Sequence, residues 1–184
     1  HEYYLLNKPR QVISSVEDKL GRITVRDLIN TEARIYPVGR LDYDTTGLII
    51  LTNDGDFANM LMHPSYEIEK TYVAKINKVL DKDDINKLKK GIVIDNRKVD
   101  IKRFKVRKKD VEKNTSIVEL TIVEGRNHIV KKIFESMRID VIKLSRVSYA
   151  FLNLDGLKSG EYRKLSIKEI KKLYSTNFYY ICVI

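Results

Sequence analysis

Arg40, Asp42, Asp44, Thr45 and Thr46 crowd into one short stretch between Gly39 and Gly47. Its one aliphatic residue is Leu41. The apolar run Leu48-Ile49-Ile50-Leu51 follows, then Asn53-Asp54-Gly55. The chemistry on offer is a carboxylate presented beside a cation. Glycine reaches backbone conformations closed to other residues, so a glycine at each end permits a sharp entry and exit. Loops carried on rigid scaffolds are where catalytic groups gather. Two other readings compete. Asp42, Asp44, Thr46 and Gly47 are spaced like the start of a calcium-binding loop. However, the twelfth position is Asn53 instead of a bidentate Glu, and a strand pattern follows where a helix is needed. Alternatively, both aspartates only cap local turns.

The flanking elements follow from periodicity and punctuation. Tyr3 to Leu6 reads as a strand ended by Asn7-Lys8-Pro9, and Gln11 to Ser14 as a second extended segment. Thr24 and Asp27 resemble a helix start, with Val25, Leu28 and Ile29 on its apolar face. Asp56 to Met62 reads as a short helix stopped by Pro64. Alternation from Ile68 to Ile76 predicts a strand with Tyr72 on the face of Ile68 and Ala74. Asp81 to Lys90 reads as a helix with Asp81 as N-cap and Gly91 as stop. Ile92 to Ile94 and Lys98 to Val106 read as a hairpin around Asp95-Asn96, and Lys108 to Asn114 as a charged loop. Ile117 to Val123 is strand-like. Asn127 to Met137 carries a helical stripe of Ile129, Val130, Ile133, Phe134 and Met137, with Lys131 and Lys132 off it. Val141 to Val147 and Phe151 to Leu154 return as strands. Ser166 with Glu169 opens a last helix ending near Tyr174. Steady strand–helix alternation is missing, so the class is α+β.

The 184 residues are 43% hydrophobic, enough for one core or for two halves sharing a sheet. The net charge of +10 points to a polyanionic partner. Eleven tyrosines and no tryptophan suit base stacking beside phosphate contacts. The single cysteine, Cys182, forms no intrachain disulfide, which fits a reducing compartment. No apolar run approaches the roughly 20 residues that span a bilayer. His63 and His128 are too isolated for a metal site. The chain opens on His1 without a methionine, so the full protein is expected to be longer, and no leader can be judged.

Gly39-Arg40-Leu41-Asp42, Asp44-Thr45-Thr46-Gly47-Leu48 and Thr52-Asn53-Asp54-Gly55 together resemble the catalytic motif of the RNA pseudouridine synthases. The nearest branch is similar to the enzymes that modify ribosomal RNA of the small or large subunit. Leu5-Leu6-Asn7-Lys8-Pro9, Glu69-Lys70-Thr71-Tyr72 and Glu124-Gly125-Arg126-Asn127-His128 agree in order. The match runs from about Tyr4 to Ser166. The resemblance implies one long mixed sheet flanked by helices, with residues 1–175 as the catalytic domain and 176–184 as a tail. The small upstream RNA-binding module of that branch is not in this chain. It implies isomerisation of uridine to pseudouridine in RNA, without cofactor or metal, by a monomer in the cytoplasm or an organelle that holds ribosomes.

The resemblance makes Asp42 the catalytic carboxylate and sets Tyr72 against the target uracil. Leu144 would close the apolar side of that pocket. Lys8, Arg40, Arg126 and Asn127 would grip the RNA backbone. The family pairs the aspartate with an arginine. Here that position is Lys131, and a usual glutamine two residues earlier is Ile129. Lysine keeps the charge but not the planar fork. Two other functions compete: an RNA-binding module weakened in catalysis, and a nucleoside or glycoside hydrolase using Asp42 and Asp44. The second needs a set separation between its carboxyl groups, which residues two apart in a loop do not assure.

Overall fold

A computed structural model describes the backbone of residues 1–181 and the side chains through 176. Cys182 and the end of the tail lie outside the described residues. Along the chain come β1 (Tyr3–Lys8), β2 (Tyr36–Val38), β3 (Thr46–Thr52), α1 (Gly55–Met62) and β4 (Lys70–Ile76). Then follow α2 (Lys82–Lys90), β5 (Ile92–Ile94), β6 (Arg97–Val99), β7 (Arg103–Asp110), β8 (Thr115–Ile122), α3 (Ile129–Glu135) and β9 (Val141–Tyr149). The last elements are β10 (Leu152–Asn153), β11 (Tyr162–Lys164) and α4 (Ile167–Ile181). Strands and helices are mixed without regular alternation, as an α+β class requires. The chain divides into two compact units, His1–Ile68 with Ala150–Ile184, and Glu69–Tyr149.

In the first unit, β1 lies antiparallel between β11 and β3, in register from Tyr3↔Thr52 to Lys8↔Gly47. β2 also pairs with β3, Val38 opposite Ile50. Leu48 to Leu51 are all buried, because β3 is covered on both faces. One face packs Ile49 and Leu51 with Tyr4, Leu6, Val12, Val25, Ile35 and Leu41. Asp54 caps α1 by accepting from the Phe57 amide at 3.0 Å, and its other oxygen accepts from the Tyr3 hydroxyl at 2.6 Å. Phe57 then meets the Tyr3 ring edge-on at 4.9 Å. The Ser166–Glu169 capping box opens α4 as expected. The helix runs on past Tyr174 and through residue 175, where the resemblance ended.

In the second unit the strand order is β9-β4-β8-β7, each pair antiparallel. Tyr72, Ala74 and Ile76 of β4 share a core with Val118, Leu120 and Ile122 of β8. Leu88 of α2 and Ile129, Val130, Ile133 and Phe134 of α3 cover that same core. Both helices of the unit therefore pack on one face of its sheet. Asp81 and Asp84 form a reciprocal capping box on α2, with Gly91 at its end (φ 83°).

Four expectations change. Thr24 to Ile29 forms turns instead of a helix. Asp27 accepts from the Thr24 amide and hydroxyl, and the Arg26 guanidinium donates to the carbonyls of Ile29, Thr31 and Ala33. Those side-chain bonds satisfy backbone groups that a helix ladder would otherwise use. Gln11 to Ser14 is no strand, since only the isolated bridge Ile13↔Thr24 forms there. The run from Lys98 splits: β5 and β6 make their own hairpin around Asp95 and Asn96, both with positive φ, and β7 starts afresh at Arg103. The expected loop from Lys108 is strand as far as Asp110, because β8 offers a full ladder that outweighs the charge of β7.

Gln11 sits at φ 59° with its side chain exposed. The left-handed region costs a side-chain-bearing residue roughly 1–2 kcal/mol. Gln11→Gly is expected to stabilise the fold by about 1 kcal/mol, less the added freedom of the unfolded chain. Gln11→Val is expected to destabilise it. Thermal melting of the two variants beside wild type checks both signs.

Candidate active site

The loop between β2 and β3 turns at its two glycines, Gly39 at φ 75° and Gly47 at φ 114°. Inside it, the Thr45 amide donates to the Asp42 carbonyl at 3.0 Å. The stretch after β1 forms the seat. The Ser14 hydroxyl donates to the Leu41 carbonyl at 2.7 Å and accepts from the Leu41 amide at 3.0 Å. Ser14 is buried, so these bonds are not shared with bulk water. The Gln11 amide donates to the Tyr43 carbonyl at 2.7 Å. Backbone bonds thus hold the residues on both sides of Asp42. Its side chain is half-buried, while Asp44 and Tyr43 are exposed. Asn53, the twelfth position of the calcium-loop reading, accepts from the Glu2 amide at 2.8 Å.

Lys8 ends β1 opposite Gly47 and has no solvent exposure. Its Nζ donates to the Pro9 carbonyl at 2.9 Å. Burial pushes its ammonium down to about 8, against the attraction of Asp44 and then Asp42. An RNA phosphate on the surface cannot reach a side chain held this way, so the expected RNA grip of Lys8 is corrected to an inward one. It is a buried cation beneath the aspartate loop. Arg40 is exposed.

The second unit holds the other expected residues. Tyr72 and Leu144 are both buried in its core, on the same face of neighbouring strands. Tyr72 stands opposite Arg146, and Ala74 opposite Leu144. Lys131 is half-buried on α3, off the stripe made by Ile129, Val130, Ile133 and Phe134. Asn127 is exposed. Arg126 is half-buried and has partners within the chain. Its guanidinium makes a bidentate ion pair with Glu124 and donates to the Ile94 carbonyl at 2.6 Å. Arg126 thus ties the Glu124 carboxylate to the carbonyl side of the β5–β6 hairpin.

Three groups escaped the sequence reading. Ser14 is one. Arg146 is buried, with its Cζ 5.1 Å from the Tyr149 ring centre. Lys70 approaches the same ring, its Nζ at 5.5 Å. Burial, and then repulsion from Arg146, pushes the Lys70 ammonium down to about 8, while Glu124 pulls it up. Burial pushes the Tyr149 hydroxyl up to about 12. The period of two along β9 puts Arg146 on the face of Leu144, and a cation on a core-facing position was the available signal.

A family model described as RNA pseudouridylate synthase matches residues 2–136. Ribosomal large subunit pseudouridine synthase B of Bacillus subtilis (strain 168) is 52% identical over 172 residues, covering 93% of this chain and 70% of that protein. An uncharacterized RNA pseudouridine synthase of Aquifex aeolicus (strain VF5) is 34% identical over 174 residues, 94% of this chain and 69% of that one. A solved pseudouridylate synthase structure is similar at TM-score 0.79 and 31% identity, over 94% of this chain and 73% of that one.

Ser14→Ala leaves a buried amide and carbonyl of Leu41 without their hydroxyl partner. The expected loss of stability is about 1–3 kcal/mol. Turnover should fall at least about tenfold with little change in KM, since the loop loses alignment and not contact area. Ser14→Thr, which keeps the hydroxyl, should recover part of the turnover. Steady-state kinetics and thermal melting separate these effects.

Lys8 gives a pH signature. Its folded value, about 8, lies below the unfolded 10.5. The cost of burying the charge is therefore present in full below pH 8. It is relieved as pH rises toward 10.5, because the unfolded chain then binds more protons. Lys70 adds in the same direction. Stability should climb across that window by about 3 kcal/mol at most from Lys8. Lys8→Met should reduce the climb, preserve or raise the melting temperature at pH 7 and lower turnover. Melting curves from pH 7 to pH 10 check the first two.

Proposed function

The chain belongs to the RNA pseudouridylate synthase family, and on that premise we propose that it modifies a uridine of large-subunit ribosomal RNA with Asp42 as its catalytic carboxylate. It is an isomerase that turns uridine into pseudouridine in RNA. The B. subtilis relative, named for the large ribosomal subunit, supports the substrate. The net charge of +10 suits any RNA. A ribosomal substrate places the enzyme in the compartment that holds ribosomes. Among the described residues, no helix is long and apolar enough to cross a membrane.

The reaction breaks the glycosidic carbon–nitrogen bond, turns the uracil and joins its carbon to the sugar. Atoms and electrons balance within the substrate, so no cofactor is called for. An ionised carboxylate can add to the anomeric carbon, as in retaining glycosidases, or take a proton from the sugar's second carbon. Both routes need a fixed, charged Asp42. The observation that carries the assignment is the seat of its loop: two glycine hinges, the Ser14 hydroxyl on Leu41, and the buried Lys8 drawn to Asp44 and Asp42. Extruding a base and gripping it needs an aromatic platform. Tyr72 takes that role in this proposal, Leu144 lines its apolar side, and Lys131 supplies positive charge. Arg40 and Asn127, both exposed, contact the RNA backbone.

Asp42→Asn keeps size and removes charge. Pseudouridine formation on a large-subunit ribosomal RNA transcript should fall to background, with folding and RNA affinity largely kept. Asp44→Asn should be much milder. Tyr72→Phe should retain affinity, and Tyr72→Ala should lose both affinity and turnover. Near wild-type product from Asp42→Asn would overturn the assignment. Free uracil as product would point to the hydrolase, and tight binding by wild type without pseudouridine to a binding module.

A further inference from the structure

The second unit leaves one face of its sheet without a helix, since α2 and α3 both pack on the Tyr72 face. Registers define what the open face carries. Lys143 stands opposite Lys75, Lys75 opposite Ile117, and Ile117 opposite Lys108. Three lysines thus occupy one row across four strands, roughly 14 Å from end to end at the usual strand spacing. The next row runs Ser145, Val73, Glu119 and Lys105. The one beyond brings Thr71, Thr121 and Arg103, with the two threonine hydroxyls 2.8 Å apart. A register shift between Val106 and Lys108 makes Arg107 an extra residue. Such bulges re-aim side chains. Here it keeps Phe104 and Val106 against the core, while Arg107 pairs with Glu119 at 3.4 Å and Lys108 faces Ile117.

The face carries Lys75, Arg103, Lys105, Arg107, Lys108 and Lys143 against three carboxylates, Glu69, Asp110 and Glu119. Glu69 and Glu119 pair with Arg103 and Arg107. Like charges directly opposite across a ladder are unfavourable. Protection of an open edge explains cations on β7. It does not explain Lys75, because β4 is flanked by β9 and β8. Cations beside the half-buried Ser145 hydroxyl are the two kinds of side chain that contact phosphate and sugar, while Thr71 and Thr121 are buried and bond each other. We propose that this open face of the β9-β4-β8-β7 sheet is a docking surface for an RNA backbone, read without regard to sequence. It rests on the reading of RNA as substrate and adds a place on the molecule where flanking RNA lies.

The probe is a short RNA duplex containing no uridine, titrated with wild type and with the triple variant Lys75→Gln, Lys108→Gln and Lys143→Gln. Each lost phosphate contact flattens the plot of log K against log salt by about 0.7–0.9. The triple variant should lose about 2 from the slope and bind at least about tenfold more weakly at physiological salt. Its melting temperature should hold or rise as the lysines no longer repel. Should the triple variant fail to fold, the exposed single change Lys108→Glu gives the same readout in smaller measure. An unchanged slope and affinity, or no duplex binding by wild type, overturns the proposal. Pseudouridine formation on the large-subunit transcript is measured in parallel. Its absence in wild type sinks the substrate reading alone and leaves the duplex result standing.

Discussion

Lys8 has been taken wholly out of water, and a buried ammonium must be offset or it shifts toward its neutral form. The offset comes from one backbone carbonyl and from the two aspartates of a loop that returns beside it in the ladder. That demand constrains the rest of the unit. β1 must hold register with β3 so that Lys8 arrives at Gly47, and the loop must fold back over it. The Ser14 hydroxyl then fixes the loop by its backbone, at the residue just before Asp42. A positioned carboxylate over a buried cation is electrostatic preorganisation in miniature.

The second unit is arranged by a different constraint, the strict alternation of a sheet. One face must bury Tyr72, Ala74, Val118, Leu120 and Leu144 beneath two helices, so every odd neighbour on β4 is sent the other way. Arg146 goes inward under the same rule, and the aromatic ring of Tyr149 receives it. A single register shift on β7 keeps this division intact while adding a cation to the outer face.

Much of this was legible because it is local. The capping boxes at Asp81 and Ser166, the two-residue turn at Asp95-Asn96 and the alternation through Tyr72 each declare themselves within a few residues. The loop from Gly39 to Gly47 stood out by its glycines and carboxylates, and its proposed catalytic role came from the resemblance of the motifs around it. What escaped depends on distance along the chain. Ser14 acts on a residue 27 positions away. Lys8 looked like a surface cation, because burial is decided by the returning loop and not by its neighbours. The hold of Arg126 on the Ile94 carbonyl depends on that distance too. The strand at Lys108 was hidden because its charges mask a ladder that only β8 supplies.

The β5–β6 hairpin has three residues on each side, too few to stand alone in water. It is tied twice toward α3: Arg126, just before the helix, holds the Ile94 carbonyl, and Lys132 on the helix reaches Asp95 at 3.0 Å. Ile94 and Val99 also enter the core that α3 covers. The hairpin therefore borrows its persistence from the helix and lends orientation to the turn where the helix begins. These shared ties imply that the two open and close as one cooperative segment. Slow amide exchange in the hairpin is then a remote gauge of whether the lysine-bearing start of α3 is in place.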